Sequence, residues 1–235
     1  MNRTVLGVWA HPDDETFLSS GLMLTARERG DRVVLVTATR GEQGTDDPVL
    51  WPPHRLGELR ARELDRSLAV LGVTEHRWLG YVDGACHLVS DAAAVEAVAG
   101  IIEEVQPDTI VSFGPDGVTG HSDHRAVARW TERARRSTAP DATLLQAVLS
   151  PRFTRRFADI NNEYGIFMAE PVTVEPDLLV RLDGDLLDRK MAALRAQDSQ
   201  TRRLVDGVGL LTFRRWWSEE AFLVLEPASA EETAA

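Results

Sequence analysis

The chain has 235 residues, with 26 Lys and Arg against 37 Asp and Glu, so its formal net charge at pH 7 is −11. This acidic balance argues against a general binder of nucleic acids or anionic membranes, which needs a basic surface. No apolar run is long enough to span a membrane and no signal peptide is recognised, so we expect a cytoplasmic protein without a stable membrane anchor. The single cysteine, Cys86, allows no internal disulfide and no thiolate metal site.

Apolar runs that favour strands alternate with helical patterns, which predicts parallel strands joined by crossover helices. We therefore expect a single α/β domain over residues 1–227, with a mostly parallel sheet flanked by helices. Strands are predicted at 4–10, 32–38, 76–80, 109–113, 144–149 and 221–225. Helices are predicted at 14–29, 55–71, 91–105, 121–136 and 185–197. Residues 39–54 are predicted as a long loop, residues near 167–174 as extended segments, and residues 228–235 as a disordered tail.

Three residues late in the chain are expected to have structural roles. Lys190 ends an Asp-Arg-Lys run, which favours a solvent-exposed helix face. Trp216 and Trp217 precede a predicted strand, where adjacent aromatic side chains pack in a core or interface more often than they clamp a sugar ring.

A concentration of charge follows the first predicted strand, in the run His11-Pro12-Asp13-Asp14-Glu15. Ligands of open parallel sheets bind at the carboxyl ends of the strands, which is where this run lies. Three carboxylates and an imidazole next to a buried strand are costly unless a cation compensates them. His11 and Asp14 are three residues apart across a strand-to-helix turn, so both side chains can reach one ion.

A second concentration, His121-Ser122-Asp123-His124, follows the glycine-bounded loop after the strand predicted at 109–113. His121 and His124 can share one face of the first helical turn. Two histidines and one carboxylate form the ligand set of a catalytic zinc site with an open position for water. The same set is the facial triad of non-haem iron, so the residues predict the coordination more firmly than the metal.

The segments Ala10–Glu15 and Gly120–His124 together resemble the PIG-L/LmbE-like family of zinc-dependent N-deacetylases. The resemblance extends over residues 5–225 through further motifs in the family's order, which are Thr39-Arg40-Gly41-Glu42, Arg60 with Glu63, Asp83, Lys190, Ser199-Gln200 and Glu220. It implies a Rossmann-like LmbE fold. The chain departs from the family pattern at Gln197, where a histidine is frequent, and at Ser122.

The resemblance also implies roles for the charged residues. Three residues are expected to bind zinc: His11, Asp14 and His124. Asp13 is expected to be the general base. His121 is expected either to stabilise the tetrahedral oxyanion or to protonate the leaving amine, with Asp123 orienting its ring. Amide hydrolysis needs an activated water, charge stabilisation on oxygen and a proton for nitrogen, so each requirement has a candidate residue.

Five further residues are expected to take part in the site. Substrate binding is the expected role of four of them: Arg40, Glu42, Arg60 and Asp83. Alternative interpretations are a surface ion pair for Arg40 with Glu42, a helical pair for Arg60 with Glu63, and turn formation for Asp83. Glu15 is expected to lie behind the ligands as a hydrogen-bond acceptor in the first helical turn.

The sequence therefore predicts a zinc-dependent hydrolase that removes an N-acetyl or other N-acyl group from a small amino-sugar substrate. An amidase acting on a thiol conjugate or a glycosylated natural product would use the same site. A zinc-containing binding protein is the alternative outside catalysis, although Asp13 and His121 beside three ligands argue against a closed structural site. The identity of the amino-sugar substrate and assembly as a homo-oligomer stay open.

Overall fold

The computed structural model describes residues 2–227, so the tail predicted at 228–235 lies outside the described residues. Seven strands form one sheet in the order β3-β2-β1-β4-β5-β7-β6. Their bounds are β1 Thr4–Trp9, β2 Arg32–Thr37, β3 Glu75–Trp78, β4 Thr109–Phe113, β5 Thr143–Ala147, β6 Leu178–Arg181 and β7 Glu219–Leu225. The first five strands are parallel, and β7 runs antiparallel to both β5 and β6. The predicted α/β fold with a mostly parallel sheet is confirmed.

Helices connect and cover the strands. Their bounds are α1 Asp14–Glu28, α2 Pro53–Leu71, α3 Asp91–Val105, α4 Ser122–Thr138, α5 Pro151–Arg156, α6 Ala158–Glu163, α7 Gly184–Ala196, α8 Asp198–Val208 and α9 Leu210–Trp216. Apart from their first residues, β1 and β2 are buried along their whole length, as expected for central strands covered on both faces. None of the helices in the described part of the chain is long and apolar enough to cross a membrane.

The strand order reverses between β1 and β4, which are neighbours in the sheet although more than 90 residues separate them in the chain. The connections leaving these two strands therefore diverge at the carboxyl edge of the sheet and open a crevice there. The charged runs that follow β1 and β4 meet in this crevice. The topology thus places the two sequence motifs side by side.

The later part of the chain differs from the prediction. Strand β6 and the helices α5, α6, α8 and α9 were not expected, and residues 167–174 contain only one isolated bridge, between Thr173 and Leu149. Helix α5 has a readable start, because Ser150 accepts a hydrogen bond from the Phe153 amide and Pro151 follows it. The other three unexpected helices, α6, α8 and α9, have no capping side chain, so local sequence patterns indicate them poorly.

A second apolar cluster lies beneath the late helices and includes Trp216 and Trp217, which confirms their predicted packing role. The prediction for Lys190 was wrong, because its side chain is fully buried. Its Nζ donates to Glu220 Oε1 at 2.8 Å and to the Phe17 carbonyl at 2.7 Å. A buried ion pair between α7 and β7 depends on tertiary packing, which the local charge run does not reveal.

Candidate active site

Three side chains converge between the carboxyl ends of β1 and β4. His11 follows β1, Asp14 begins α1, and His124 lies in the first turn of α4. His11 Nδ1 is 3.1 Å from His124 Nε2 and 3.6 Å from Asp14 Oδ2, while Asp14 Oδ1 is 3.4 Å from His124 Nε2. All three residues are buried. The structure therefore brings together the three predicted metal ligands.

The outer nitrogen of each imidazole has its own acceptor. His11 Nε2 lies 3.0 Å from Asp83 Oδ1 and 3.4 Å from Asp123 Oδ2, and His124 Nδ1 lies 2.9 Å from the Gly117 carbonyl. These contacts assign the ring protons to the outer nitrogens, so that Nδ1 of His11 and Nε2 of His124 present lone pairs to each other. A proton on His11 or a cation bound between the two rings satisfies both lone pairs. The buried carboxylate of Asp14 makes this donor set suitable for zinc.

Burial and acidic neighbours compete at both rings, and the pKa values of His11 and His124 shift in opposite directions. Burial lowers the pKa of His11, but hydrogen bonds to Asp123 and Asp83 and the charge of Asp14 outweigh it and raise that pKa to about 10. Burial lowers the pKa of His124 to about 4, against the charge of Asp14. Without a bound cation, His11 therefore carries the proton and His124 is neutral at pH 7. A divalent cation that binds between the rings competes with this proton.

His121 is near enough to be considered as a ligand, because its ring offers a nitrogen within 4.8 Å of ring nitrogens of His11 and His124. Its Nδ1, however, accepts a hydrogen bond from the Asp123 amide at 3.1 Å and caps α4. The ring proton then lies on Nε2, so His121 offers a hydrogen-bond donor. Burial lowers the pKa of His121, which keeps the ring neutral at pH 7.

Within residues 2–227, His11, Asp83 and Asp123 form a further group whose possible metal-ligating atoms all lie within 4.8 Å of one another. Both carboxylates already accept backbone amides, from Gln43 for Asp83 and from Gly84 and Cys86 for Asp123. These contacts make the two carboxylates anchors for the His11 ring. The Asp123 carboxylate thus contacts His11, whereas the hydrogen bond from Asp123 to the His121 ring comes from the Asp123 backbone amide.

Asp13 lies at the start of α1 with φ of 108°, a conformation that non-glycine residues rarely adopt. Its Oδ2 accepts from Arg60 Nη2 at 3.2 Å. Burial raises the pKa of Asp13 to about 7, and the Arg60 charge opposes the rise. A carboxylate with a pKa near neutrality suits a general base.

Arg60 is 4% exposed and does not pair with Glu63. Its Nη1 donates to the Gly41 carbonyl at 2.7 Å, and its Nη2 donates to the Pro12 carbonyl at 2.5 Å. The guanidinium therefore ties the loop after β2 to the loop after β1. Glu63 instead accepts from the amide and hydroxyl of Ser199.

The other residues expected to bind substrate have structural contacts. Glu42 Oε1 accepts from the Asp83 amide at 2.9 Å, which joins the loops after β2 and β3. The Arg40 guanidinium lies 5.2 Å from the centre of the Trp78 ring, within cation–π range. Arg40 and Glu42 also border a cavity of about 410 Å³ that includes none of the converging residues.

Glu15 is almost fully buried in the first turn of α1, next to Asp14. It accepts hydrogen bonds from the Asp13 amide, the Thr16 hydroxyl and the Gln197 amide group. The contacts of Gln197 and Gly117 were missed by sequence reasoning. The departure from the family pattern at Gln197 was the available signal for that residue, whereas nothing in the sequence marks a carbonyl acceptor such as that of Gly117.

Comparisons with known proteins match this chain to one family. Residues 6–135, which contain both charged runs, match the family model PIG-L, GlcNAc-PI de-N-acetylase. A 1D-myo-inositol 2-acetamido-2-deoxy-alpha-D-glucopyranoside deacetylase from Acidothermus cellulolyticus is 34% identical, over 88% of this chain and 82% of that protein. The protein with the same description from Thermobifida fusca is also 34% identical, over 85% of this chain and 84% of its own length.

Among solved structures, the chain is similar to N,N'-diacetylchitobiose deacetylase from Pyrococcus horikoshii. The TM-score is 0.67, with 23% sequence identity over 96% of this chain and 84% of that one, a similarity that supports the fold. The family model covers more than half of the chain, and the two relatives align with most of it. The chain therefore belongs to the PIG-L family of GlcNAc-PI de-N-acetylases.

Proposed function

We propose that this protein hydrolyses the amide of an N-acetylated amino sugar with a zinc ion held by His11, Asp14 and His124. The observation that carries the proposal is the pair of facing nitrogens, His11 Nδ1 and His124 Nε2, 3.1 Å apart beside a buried carboxylate. When bound, zinc lowers the pKa of a coordinated water to about 7 and polarises a carbonyl oxygen.

Asp13 supplies the base that such a reaction needs. Its carboxylate lies in the same crevice as the three ligands, and burial brings its pKa to about 7. Asp13 takes a proton from the attacking water, and the same proton is then available for the leaving nitrogen. The contact with Arg60 limits the rise of the pKa and keeps a useful fraction of Asp13 ionised.

His121 supplies the donor for the developing oxyanion. Its Nδ1 is occupied by the Asp123 amide, so its Nε2 carries the proton. A neutral ring with a fixed N–H can donate to negative charge on oxygen without changing its own protonation state. We therefore assign oxyanion stabilisation to His121 and the return of the proton to Asp13.

The substrate proposed is a 2-acetamido-2-deoxyglucosyl group. The support comes from the two relatives at 34% identity, whose descriptions specify deacetylation of that sugar linked to inositol. The group attached to the sugar could be inositol, a lipid, a thiol precursor or a natural product, all of which would present the same acetamide to the crevice.

The test is release of free amine from a panel of N-acetylated amino sugars, including the inositol conjugate and thiol conjugates. Zinc-loaded and chelator-treated protein are assayed in parallel, with zinc added back to the treated sample. We expect release that depends on zinc and is restored by its return. Protein that holds one equivalent of zinc and releases no amine from any panel member would contradict the proposal.

A further inference from the structure

The buried carboxylate of Glu15 has hydrogen-bond donors around it but no charged partner within residues 2–227. The side chain is 1% exposed, and burial raises its pKa. Its Oε1 accepts from the Thr16 hydroxyl at 2.5 Å and from Gln197 Nε2 at 2.8 Å, and its Oε2 accepts from the Asp13 amide at 3.0 Å. Each of these donors therefore matters to the placement of the carboxylate.

The contact with the Asp13 amide links Glu15 to the proposed base. Asp13 adopts φ of 108°, and such a strained backbone persists only where its surroundings hold it. Arg60 donates to the Asp13 side chain, whereas Glu15 accepts from the Asp13 backbone amide. The direction in which the Asp13 carboxylate points therefore depends on where Glu15 lies.

Gln197 fixes Glu15 from a distant part of the chain. It lies at the junction of α7 and α8, is 1% exposed, and donates from Nε2 to both Glu15 Oε1 and Thr16 Oγ1. Its own Oε1 is buried without a hydrogen-bond partner among the described residues. An unpaired buried carbonyl is costly, so the interactions of the amino group are what favour this side chain here.

The junction is itself held against the crevice. Ser199 donates to Glu63 from its amide at 2.9 Å and from its hydroxyl at 2.5 Å, which attaches the start of α8 to α2. Gln200 donates to the Gly44 carbonyl at 3.1 Å and to the Ser199 hydroxyl at 3.2 Å, whereas the amide that donates to Glu15 is that of Gln197. These contacts attach the turn that carries Gln197 to α2 and to the loop after β2.

We propose that Gln197 is a positioning residue that, through Glu15, sets the backbone of Asp13 and hence the direction of its carboxylate. The proposal rests on the role of Asp13 as base in the proposed function. Misplacement of a reacting group by about 1 Å costs up to about 100-fold in rate, so loss of the Gln197 contact should lower kcat. The Asp13 carboxylate is not one of the three proposed zinc ligands, so zinc content and KM should change little.

The test compares the same substitution at two glutamines of one turn. Gln197→Met keeps the side-chain length and removes the donor to Glu15 and Thr16, while the control Gln200→Met removes a donor to the Gly44 carbonyl and the Ser199 hydroxyl. We expect Gln197→Met to lower kcat by about 10- to 100-fold with KM and zinc content close to those of the unaltered protein. Gln200→Met should keep its kcat. Gln197→His restores an N–H donor and should recover most of the lost rate.

Glu15→Gln changes the acceptor of the same hydrogen bond and is the second variant if Gln197→Met does not fold. A single acceptor oxygen cannot serve both the Asp13 amide and the Gln197 amino group, so kcat should fall again while KM is kept. Equal kcat values for Gln197→Met and Gln200→Met would overturn the proposal. A loss of kcat that occurs together with loss of zinc or of folded protein would do the same.

The backbone amide of Asp13 gives a measurement that is independent of activity. In protein labelled with ¹⁵N-aspartate, its resonance is identified by its disappearance in Asp13→Asn. Gln197→Met should shift this resonance and accelerate its hydrogen exchange, and Gln200→Met should not. An inactive unaltered protein would contradict the proposed function, whereas an unchanged Asp13 amide in Gln197→Met would contradict the positioning role.

Discussion

Arg60 Nη2 lies 3.2 Å from Asp13 Oδ2 and 2.5 Å from the Pro12 carbonyl, so one guanidinium holds both the backbone and the side chain of the charged run after β1. Arg60 is buried in α2, and its charge lowers the pKa of Asp13 against the effect of burial. The ionisation of the proposed base is therefore tied to a residue about 50 positions away in the chain.

We predict that Arg60→Gln shifts the acid limb of kcat/KM to higher pH. Burial raises the pKa of Asp13 and the Arg60 charge opposes that rise, so its removal raises the pKa further. A smaller fraction of Asp13 is then ionised at any given pH, and activity falls more at pH 6 than at pH 9. A shift of about one pH unit or more is expected from an opposite charge at this distance.

The control is Arg66→Gln, at a half-exposed position on the next turns of α2. Its profile should match that of the unaltered zinc-loaded protein. Arg60→Lys keeps the charge and should lie closer to the unaltered protein than Arg60→Gln does. Superimposable profiles for Arg60→Gln and Arg66→Gln would show that Arg60 does not tune the base.

We predict that Asp13→Asn retains zinc and loses about 10²- to 10⁴-fold in kcat, which is the usual contribution of a general base. The amide keeps the shape of the side chain and one acceptor for Arg60 but takes up no proton. Asp31→Asn is the matched control, since Asp31 is also buried and accepts the Arg3 amide at the opposite edge of the sheet. Full turnover by Asp13→Asn would remove Asp13 from the mechanism.

The zinc affinity of variants should distinguish the proposed metal ligands from the residues that orient those ligands. His124→Ala removes a proposed ligand and should weaken zinc binding by more than about 100-fold, while Asp83→Asn loosens only the His11 ring and should cost about 10- to 100-fold. His121→Asn should leave affinity nearly unchanged because His121 offers a proton donor. Competition with a chromogenic chelator measures all three variants. Affinity lost equally in His121→Asn would assign His121 to the metal.

Turnover should test the donor role of His121 apart from its capping role. Asparagine is a good helix cap, so His121→Asn should preserve α4 and lower kcat by about 10²- to 10³-fold through loss of the oxyanion donor. His121→Ala should add a loss of about 1 kcal/mol in unfolding free energy, since its Nδ1 caps the helix. Equal stability of the two variants would contradict the capping contact.

The sequence predicted which charged residues meet in the candidate site more completely than it predicted the second half of the fold. The two charged runs each span five residues or fewer, and a parallel sheet places the ends of β1 and β4 at one edge, so local motifs were sufficient there. The supports of the site come from residues far apart in the chain, such as Asp83 for His11 and Gln197 for Glu15. Such pairs are created by packing between elements, which no local pattern encodes.

Lys190 gives the clearest case of a tertiary contact overriding a local pattern, and it leads to a stability prediction. Its buried ammonium pairs with Glu220, whose carboxylate also accepts the amides of Gly21 and Leu22 inside α1. Lys190→Met leaves that carboxylate buried without its cation and should lower the unfolding free energy by about 3–5 kcal/mol.

Arg189, next to Lys190 in the chain, provides the control, and urea unfolding measures the stability of both variants. Arg189 forms an ion pair with Glu28 at the surface, 3.1 Å apart, so Arg189→Met should change the unfolding free energy by less than about 0.5 kcal/mol. Adding Glu220→Gln to Lys190→Met removes the uncompensated charge and keeps one acceptor for the α1 amides, so part of the loss should be recovered. A Lys190→Met protein as stable as Arg189→Met would mean that the buried pair contributes nothing to the docking of α7 and β7 on α1.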